Sequence, residues 1–101
     1  MRRVVITGMG MVTPLGMGVD HNWKTITEGK SGIRQIEHFD ISDITSKIAG
    51  VVPRTSDENP TNGDFNADLY HEPKEQRKTD IFITYGMAAA HEAIEDSGWK
   101  P

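Results

Sequence analysis

Three groups of residues in this 101-residue sequence have types and spacing that suit chemistry. The first is the glycine-rich run VVITGMGMVTPLG, residues 4–16, in which backbone N–H groups at a loop-to-helix junction could cradle a phosphate. The second is Lys74, Arg77 and Lys78, three cations at i, i+3 and i+4 that suit an acidic partner. The third is the set of four histidines, His21, His38, His71 and His91, the residue type used for proton transfer and metal ligation. There is no cysteine, so these residues contain no thiolate nucleophile, thiolate metal ligand or disulfide.

Each group has to be weighed against a plainer role. A dinucleotide loop needs G-x-G-x-x-G, with the third glycine in the first helical turn and an acidic residue about 20 positions later, after a second strand. Gly8 and Gly10 fit, but Thr13 stands at the third position and Pro14 follows it. The residue before a proline is pushed out of the helical region, so no helix starts where the pyrophosphate would sit. A second strand after the first helix is not evident, and no Gly-Lys-Ser/Thr completes a Walker loop. The loop therefore reads as structural, turning a strand sharply away from a packed core. A dinucleotide-binding module is the disfavoured alternative.

The histidines have no H-x₃-H spacing, and no metal site is expected. His21 falls on the solvent side of a short helix, His38 and His71 lie in loop sequence, and His91 sits on a helix beside Glu92. All four read as surface or packing residues. The cationic cluster is harder to dismiss: on a helical turn its three charges share a face, repel one another, and precede a long helix whose positive dipole end disfavours them. It is either a solvated face or an acceptor for an acidic partner.

The elements that position these groups follow from periodicity. Arg3–Thr7 has consecutive β-branched residues, the pattern of a strand buried on both faces. Val19, Trp23 and Ile26 mark one face of a helix over 19–28, with Asp20 near its start and Gly29 at its end. Residues 31–42 read as a turn and irregular chain, and 47–52 as a short strand. Residues 53–73, with Asn59-Pro60 and Asn62-Gly63, read as an exposed mobile loop. A final helix carries the stripe Ile83, Met87, Ala90 and Ile94, widened by Gly86, Ala89 and Ala93 and expected to be core. Glu92, Glu95 and Asp96 then face solvent and Gly98 is the stop.

Composition sets the remaining bounds. A net charge of −4 argues against general nucleic-acid binding. No run approaches the ~20 apolar residues of a membrane span, and no secretory apolar region is present, so a soluble cytoplasmic protein is expected. With 36% hydrophobic residues gathered in 4–16 and 81–94, the chain has the look of part of a larger fold. By itself it should be poorly soluble or molten.

The opening run also resembles that of the elongating β-ketoacyl-acyl-carrier-protein synthases, in which a first strand enters a T-G-x-G-x-x-(S/T)-P-x-G loop. Further matches follow in order: Trp23-Lys24, Ser31-Gly32-Ile33 with His38-Phe39-Asp40, and Lys47-Ile48-Ala49-Gly50. The most specific is KEQRKTDIFITYGMAAAHEAIEDSG, Lys74–Gly98, similar almost throughout to the type II bacterial enzymes of fatty-acid synthesis. The resemblance covers nearly the whole chain but only about the first quarter of a family member. It departs from the pattern at 53–73, which looks like an insertion of some ten residues.

The resemblance implies an α/β class and a thiolase-like α/β/α/β/α layered fold, with residues 1–101 forming an incomplete N-terminal segment of the N-terminal half. It implies an acyltransferase that elongates acyl chains by decarboxylative condensation with malonyl-acyl carrier protein, working as a homodimer without a cofactor. The family's catalytic cysteine and two histidines match no position here and are expected after Pro101, so these 101 residues alone should be inactive. In the family, the residues matching Lys74, Arg77 and Lys78 contact the acidic carrier protein. The implied partners are acyl carrier protein and malonyl and acyl thioesters, with neither nucleic acid nor membrane. A segment of a non-catalytic ketosynthase-like partner subunit would have the same features, and these residues do not separate the two.

Overall fold

A computed structural model describes residues 1–58, 60 and 63–100. The glycine-rich run closes into a minimal hairpin, β1 (Val12–Thr13) pairing antiparallel with β2 (Gly16–Met17) around Pro14-Leu15. Helix α1 (Val19–Thr27) follows, then β3 (Ile33–Gln35) paired antiparallel with β4 (Ile48–Gly50). A 3₁₀ turn (Ala67–Leu69), the one-turn helix α2 (Pro73–Gln76) and the long helix α3 (Ile81–Ser97) complete the order.

The helix ends are where the sequence places them. Asp20 lies in the first turn of α1, and Gly29 follows its C-cap at φ 77°. Helix α3 stops at Gly98, whose φ of 73° is left-handed and whose N–H donates to Glu95 O at 3.2 Å. A residue with a Cβ is strained in that conformation, which is why glycine ends both helices.

The buried centre is small. Phe65 and Ala88 are its fully enclosed apolar residues, joined by buried Thr84, Asn22 and Asn66. Phe65 lies parallel to the Tyr70 ring at 5.8 Å and edge-on to Tyr85 at 5.1 Å, so one aromatic cluster ties the chain before α2 to α3.

Four expectations are corrected. The Arg3–Thr7 run forms no ladder among the described residues, and Val4 and Ile6 are 90% and 83% exposed. A strand meant for burial on both faces needs neighbours, and both short ladders here are closed on themselves. Within 31–42, read as irregular, Ile33–Gln35 is a strand, because Lys47–Gly50 supplies its partner: Ile36 N–H donates to Lys47 O at 2.8 Å just beyond the ladder. Residues 53–73 are exposed only in part: Phe65 is fully buried, its N–H donates to Pro53 O at 2.7 Å and its carbonyl accepts from Thr55 N–H at 2.9 Å. The Asn59-Pro60 and Asn62-Gly63 turns lie partly outside the described residues. Finally, Ile83, Met87, Ala90 and Ile94 of the apolar stripe of α3 are exposed; the covered face holds Thr84 and Ala88 together with Ala89 and Ala93, the two small residues of the expected face that are half-buried.

The balance of surface gives the physical reason for the last point. A self-contained domain of 11.2 kDa exposes about 5,700 Å² by the usual mass scaling, whereas this chain exposes 7956 Å². Its radius of gyration is 15.9 Å, against about 13 Å for a compact chain of this length. The residues present cover one side of α3 and leave the other open.

Candidate functional site

The glycine loop is a packed joint. Gly8 and Gly10 run directly over α3: a Cβ on Gly10 would lie 2.7 Å from the Ala89 carbonyl carbon and 2.9 Å from Ala93 N, and one on Gly8 would lie 2.6 Å from Ser97 N. The obstacles are backbone atoms of a helix, which do not yield. The small residues Ala89 and Ala93 thus have a definite purpose: they admit the loop backbone to the helix surface.

Two carboxylates lock this contact. Glu92 Oε1 accepts from Met11 N–H at 2.8 Å and Oε2 from Val19 N–H at 3.0 Å, while Asp96 Oδ2 accepts from Met9 N–H at 3.1 Å. Glu92 was expected to face solvent and is half-buried instead, which is corrected; Asp96 is exposed as expected and accepts its bond at the surface. Their pull toward the loop has a cause, since the loop and the first turn of α1 carry N–H groups with no helical acceptor. Glu92 therefore occupies the anion position at the start of α1 that a pyrophosphate would need. Its charge also helps hold the Tyr70 hydroxyl above the usual phenol range, after the larger effect of that ring's burial.

The Thr13-Pro14 step, which breaks the dinucleotide pattern, is itself a fixing point. Thr13 Oγ1 bonds to the Asn22 Oδ1 and accepts from Leu15 N–H at 3.0 Å. Asn22 Nδ2 donates to Gly16 O at 3.0 Å and Gly18 O at 2.8 Å. The Pro14 ring sits against Gly32 and Gly50, where a Cβ would meet it at 2.8 and 2.9 Å, and Arg34 Nη2 donates to Pro14 O at 3.0 Å. The opening run is thereby bound to α3 on one side and to the β3–β4 ladder on the other. Asn22 gave no sign in the sequence, because a polar residue on a short helix ordinarily faces water.

The histidines are scattered. His21 was expected on the solvent side, but its Nε2 donates to Leu15 O at 2.8 Å and its ring lies against Gly63 and Gly16. His71 Nδ1 is 3.0 Å from Thr84 Oγ1, His91 meets Tyr70 edge-on at 5.7 Å, and His38 meets Phe39 edge-on at 4.5 Å. Among the described residues no three His, Cys, Asp or Glu side chains are grouped so as to hold a metal.

The three cations are brought together. Lys74 is on α2, Arg77 is its C-cap, Lys78 is the next residue, and all three are exposed. Pro73 at the first helical position starts the turn, and the backbone continues to bend through Lys78 N–H to Glu75 O at 3.1 Å. Glu75 pairs with Lys78 at 3.6 Å across solvent; among the described residues Lys74 and Arg77 have no ion pair. A fixed turn thus presents three exposed cations, two of them outside any ion pair among the described residues, beside the exposed carboxylates of Glu72, Glu75 and Asp80.

The family profile described as "Beta-ketoacyl synthase, N-terminal domain" matches residues 1–101, the whole chain. The chain belongs to the β-ketoacyl synthase family. This synthase segment is 50% identical over all of its length to a 3-oxoacyl-[acyl-carrier-protein] synthase 2 of Rhizobium meliloti (strain 1021), covering 23% of that protein. It is 45% identical to the synthase of the same name from Vibrio harveyi, over 96% of the segment and 21% of the relative. Among solved structures it is similar to "The ishigamide ketosynthase/chain length factor", with a TM-score of 0.76 and 31% identity over 98% of the segment and 22% of that chain. The synthase segment therefore spans less than a quarter of the length of these relatives. Its fold is part of the ketosynthase α/β architecture, and its open α3 face and exposed Arg3–Thr7 run are the surfaces that such a partial fold leaves bare.

Proposed function

We propose that a protein of full family length carrying this segment elongates fatty acyl chains, condensing an enzyme-bound acyl group with malonyl-acyl carrier protein as carbon dioxide leaves. Lys74, Arg77 and Lys78 receive the acidic carrier protein in that reaction. The observation that supports this reading is the solvent-facing turn Lys74–Lys78 in a chain whose named relatives act on acyl-carrier-protein substrates. A patch of one sign speeds encounter with a partner of the other and fixes its orientation. The catalytic groups belong to residues outside these 101, the protein works as a cytoplasmic homodimer, and residues 53–73 are an insertion beside the docking turn.

Reversing Arg77→Glu and Lys78→Glu together tests the assignment. The KM for carrier-bound substrate should rise about tenfold or more at low ionic strength, and the rise should shrink as salt screens the charges. The KM for a small soluble thioester should move far less. An unchanged carrier KM would defeat the docking assignment. An absence of any condensing activity in the unaltered full-length protein would favour the non-catalytic partner subunit.

A further inference from the structure

We infer that Gln76 is a positioning residue that sets the docking turn at its working angle, an inference that rests on the carrier-docking reading above. Helix α2 spans only Pro73–Gln76, far too short to hold itself in water. Its backbone bonds are local: Gln76 N–H donates to Glu72 O at 3.0 Å and Glu75 N–H to the same oxygen at 2.9 Å. The cations it carries point away into solvent, and the Glu75–Lys78 pair lies within the turn. Among the described residues, the side-chain hydrogen bonds that tie α2 to the chain before it both come from Gln76.

Those two bonds have a clear geometry. Gln76 Nε2 donates to Asp68 Oδ1 at 2.8 Å and to the His71 carbonyl oxygen at 2.6 Å. Both amide protons are used, one on a carboxylate at the 3₁₀ turn and one on the backbone just before α2. His71 in turn reaches the buried Thr84 of α3 at 3.0 Å, and Asp68 N–H is held by Asn66 Oδ1 at 3.0 Å beside buried Phe65. Apart from the backbone itself, the side-chain hydrogen bonds that link the turn of Lys74 and Arg77 to the buried centre among the described residues therefore run through one amide group. Gln76 itself carries no charge and is half-buried, so it acts on the carrier by fixing where the cations stand.

The test replaces Gln76 with Met, similar in length and uncharged, in a protein of full family length, beside the Arg77→Glu variant. Gln76→Met should raise the KM for carrier-bound substrate roughly three- to tenfold, the scale of one net hydrogen bond, with turnover of a small soluble thioester retained. Because Gln76 acts through the cations it places, that rise should shrink as salt screens them, in parallel with the Arg77→Glu effect. Gln76→Ala should behave as Gln76→Met and serves in its place if Met is not accommodated. A carrier KM unmoved by Gln76→Met while Arg77→Glu raises it would overturn the positioning role and leave docking intact. A carrier KM unmoved by either would overturn docking itself. Equal loss toward carrier-bound and small substrates would make Gln76 a plain structural residue and also overturn the inference.

Discussion

Replacing Glu92 should loosen the start of α1 although Glu92 is 73 residues away in sequence. Its two oxygens accept from Met11 N–H and Val19 N–H, and a hydrogen bond to a charged acceptor contributes roughly 1.5–3 kcal/mol. The charge at the helix start contributes about 0.3–1 kcal/mol more. Met11 is exposed, so water replaces its bond at little cost, while Val19 is half-buried and keeps most of the penalty. The sum for Glu92→Ala is therefore about 2 kcal/mol, or about thirtyfold in the local opening equilibrium. Glu92→Gln should cost about half as much, since its amide offers one oxygen to two donors and turns an N–H toward the other. The assay is native-state hydrogen exchange on a protein of full family length. Val19 amide exchange should quicken by that factor while amides in the middle of α3 hold their rates. Unchanged Val19 exchange in Glu92→Ala, with the fold confirmed by circular dichroism, would refute the idea that this carboxylate holds the loop and α1 together.

The other consequences are more direct. In a protein of full family length, Gly10→Ala drives a methyl group into the Ala89–Ala93 backbone and should lower stability by about 3 kcal/mol; a melting temperature within a degree of the parent would show that the joint is looser than described. In a protein of full family length, Asn22→Leu strands the Gly16 carbonyl and the Thr13 hydroxyl, while Gly18 O keeps its bond from the backbone N–H of residue 22, and should cost about 2–4 kcal/mol in urea unfolding, with Asn22→Asp intermediate. The 101-residue chain alone, exposing about 2,300 Å² more than a self-contained domain, should self-associate, bind a hydrophobic dye and melt without cooperativity; a monodisperse monomer with a sharp transition would contradict this.

Legibility in the sequence followed the range of the interactions. Helix stops at Gly29 and Gly98 and the helical turn under Lys74, Arg77 and Lys78 depend on a few adjacent residues, and they stand where local rules put them. The β3 strand was hidden because Ile33-Arg34-Gln35 has no alternation of its own and is made a strand by Lys47–Gly50. The covered face of α3 was legible only in its small residues, Ala89 and Ala93, and not in its stripe, for a related reason. Periodicity marks the most apolar stripe, but the face that is covered here was chosen by a glycine backbone that needs small residues, Ala89 and Ala93, beneath it. Glu92 and Asp96 looked like solvent residues because carboxylates usually are, and only the tertiary placement of bare N–H groups at Met9, Met11 and Val19 gives them another use. Gln76 was similarly silent, since nothing in its neighbours reveals that Asp68 and His71 will lie within reach.

The glycine loop shows how one sequence pattern can serve two opposed ends. In a nucleotide-binding fold, glycines bring the backbone close to a phosphate and leave the helix start free to receive it. Here Gly8 and Gly10 bring the backbone equally close to another helix, and the helix start is already met by Glu92. A phosphate arriving from solution would have to displace a carboxylate that is held in the same molecule, whose effective concentration is in the millimolar range or above. It would also meet Asp20, Glu95 and Asp96, which line the same hollow as Glu92 and repel a second anion. The same three features therefore act together: glycines that fit a helix, small residues that admit them, and acidic groups that satisfy the exposed N–H donors. The acidic groups would oppose a phosphate, and together the three features make the start of this fold a rigid joint from which α1 and α3 take their relative position, leaving contact with an acidic partner to the separate turn at Lys74–Lys78.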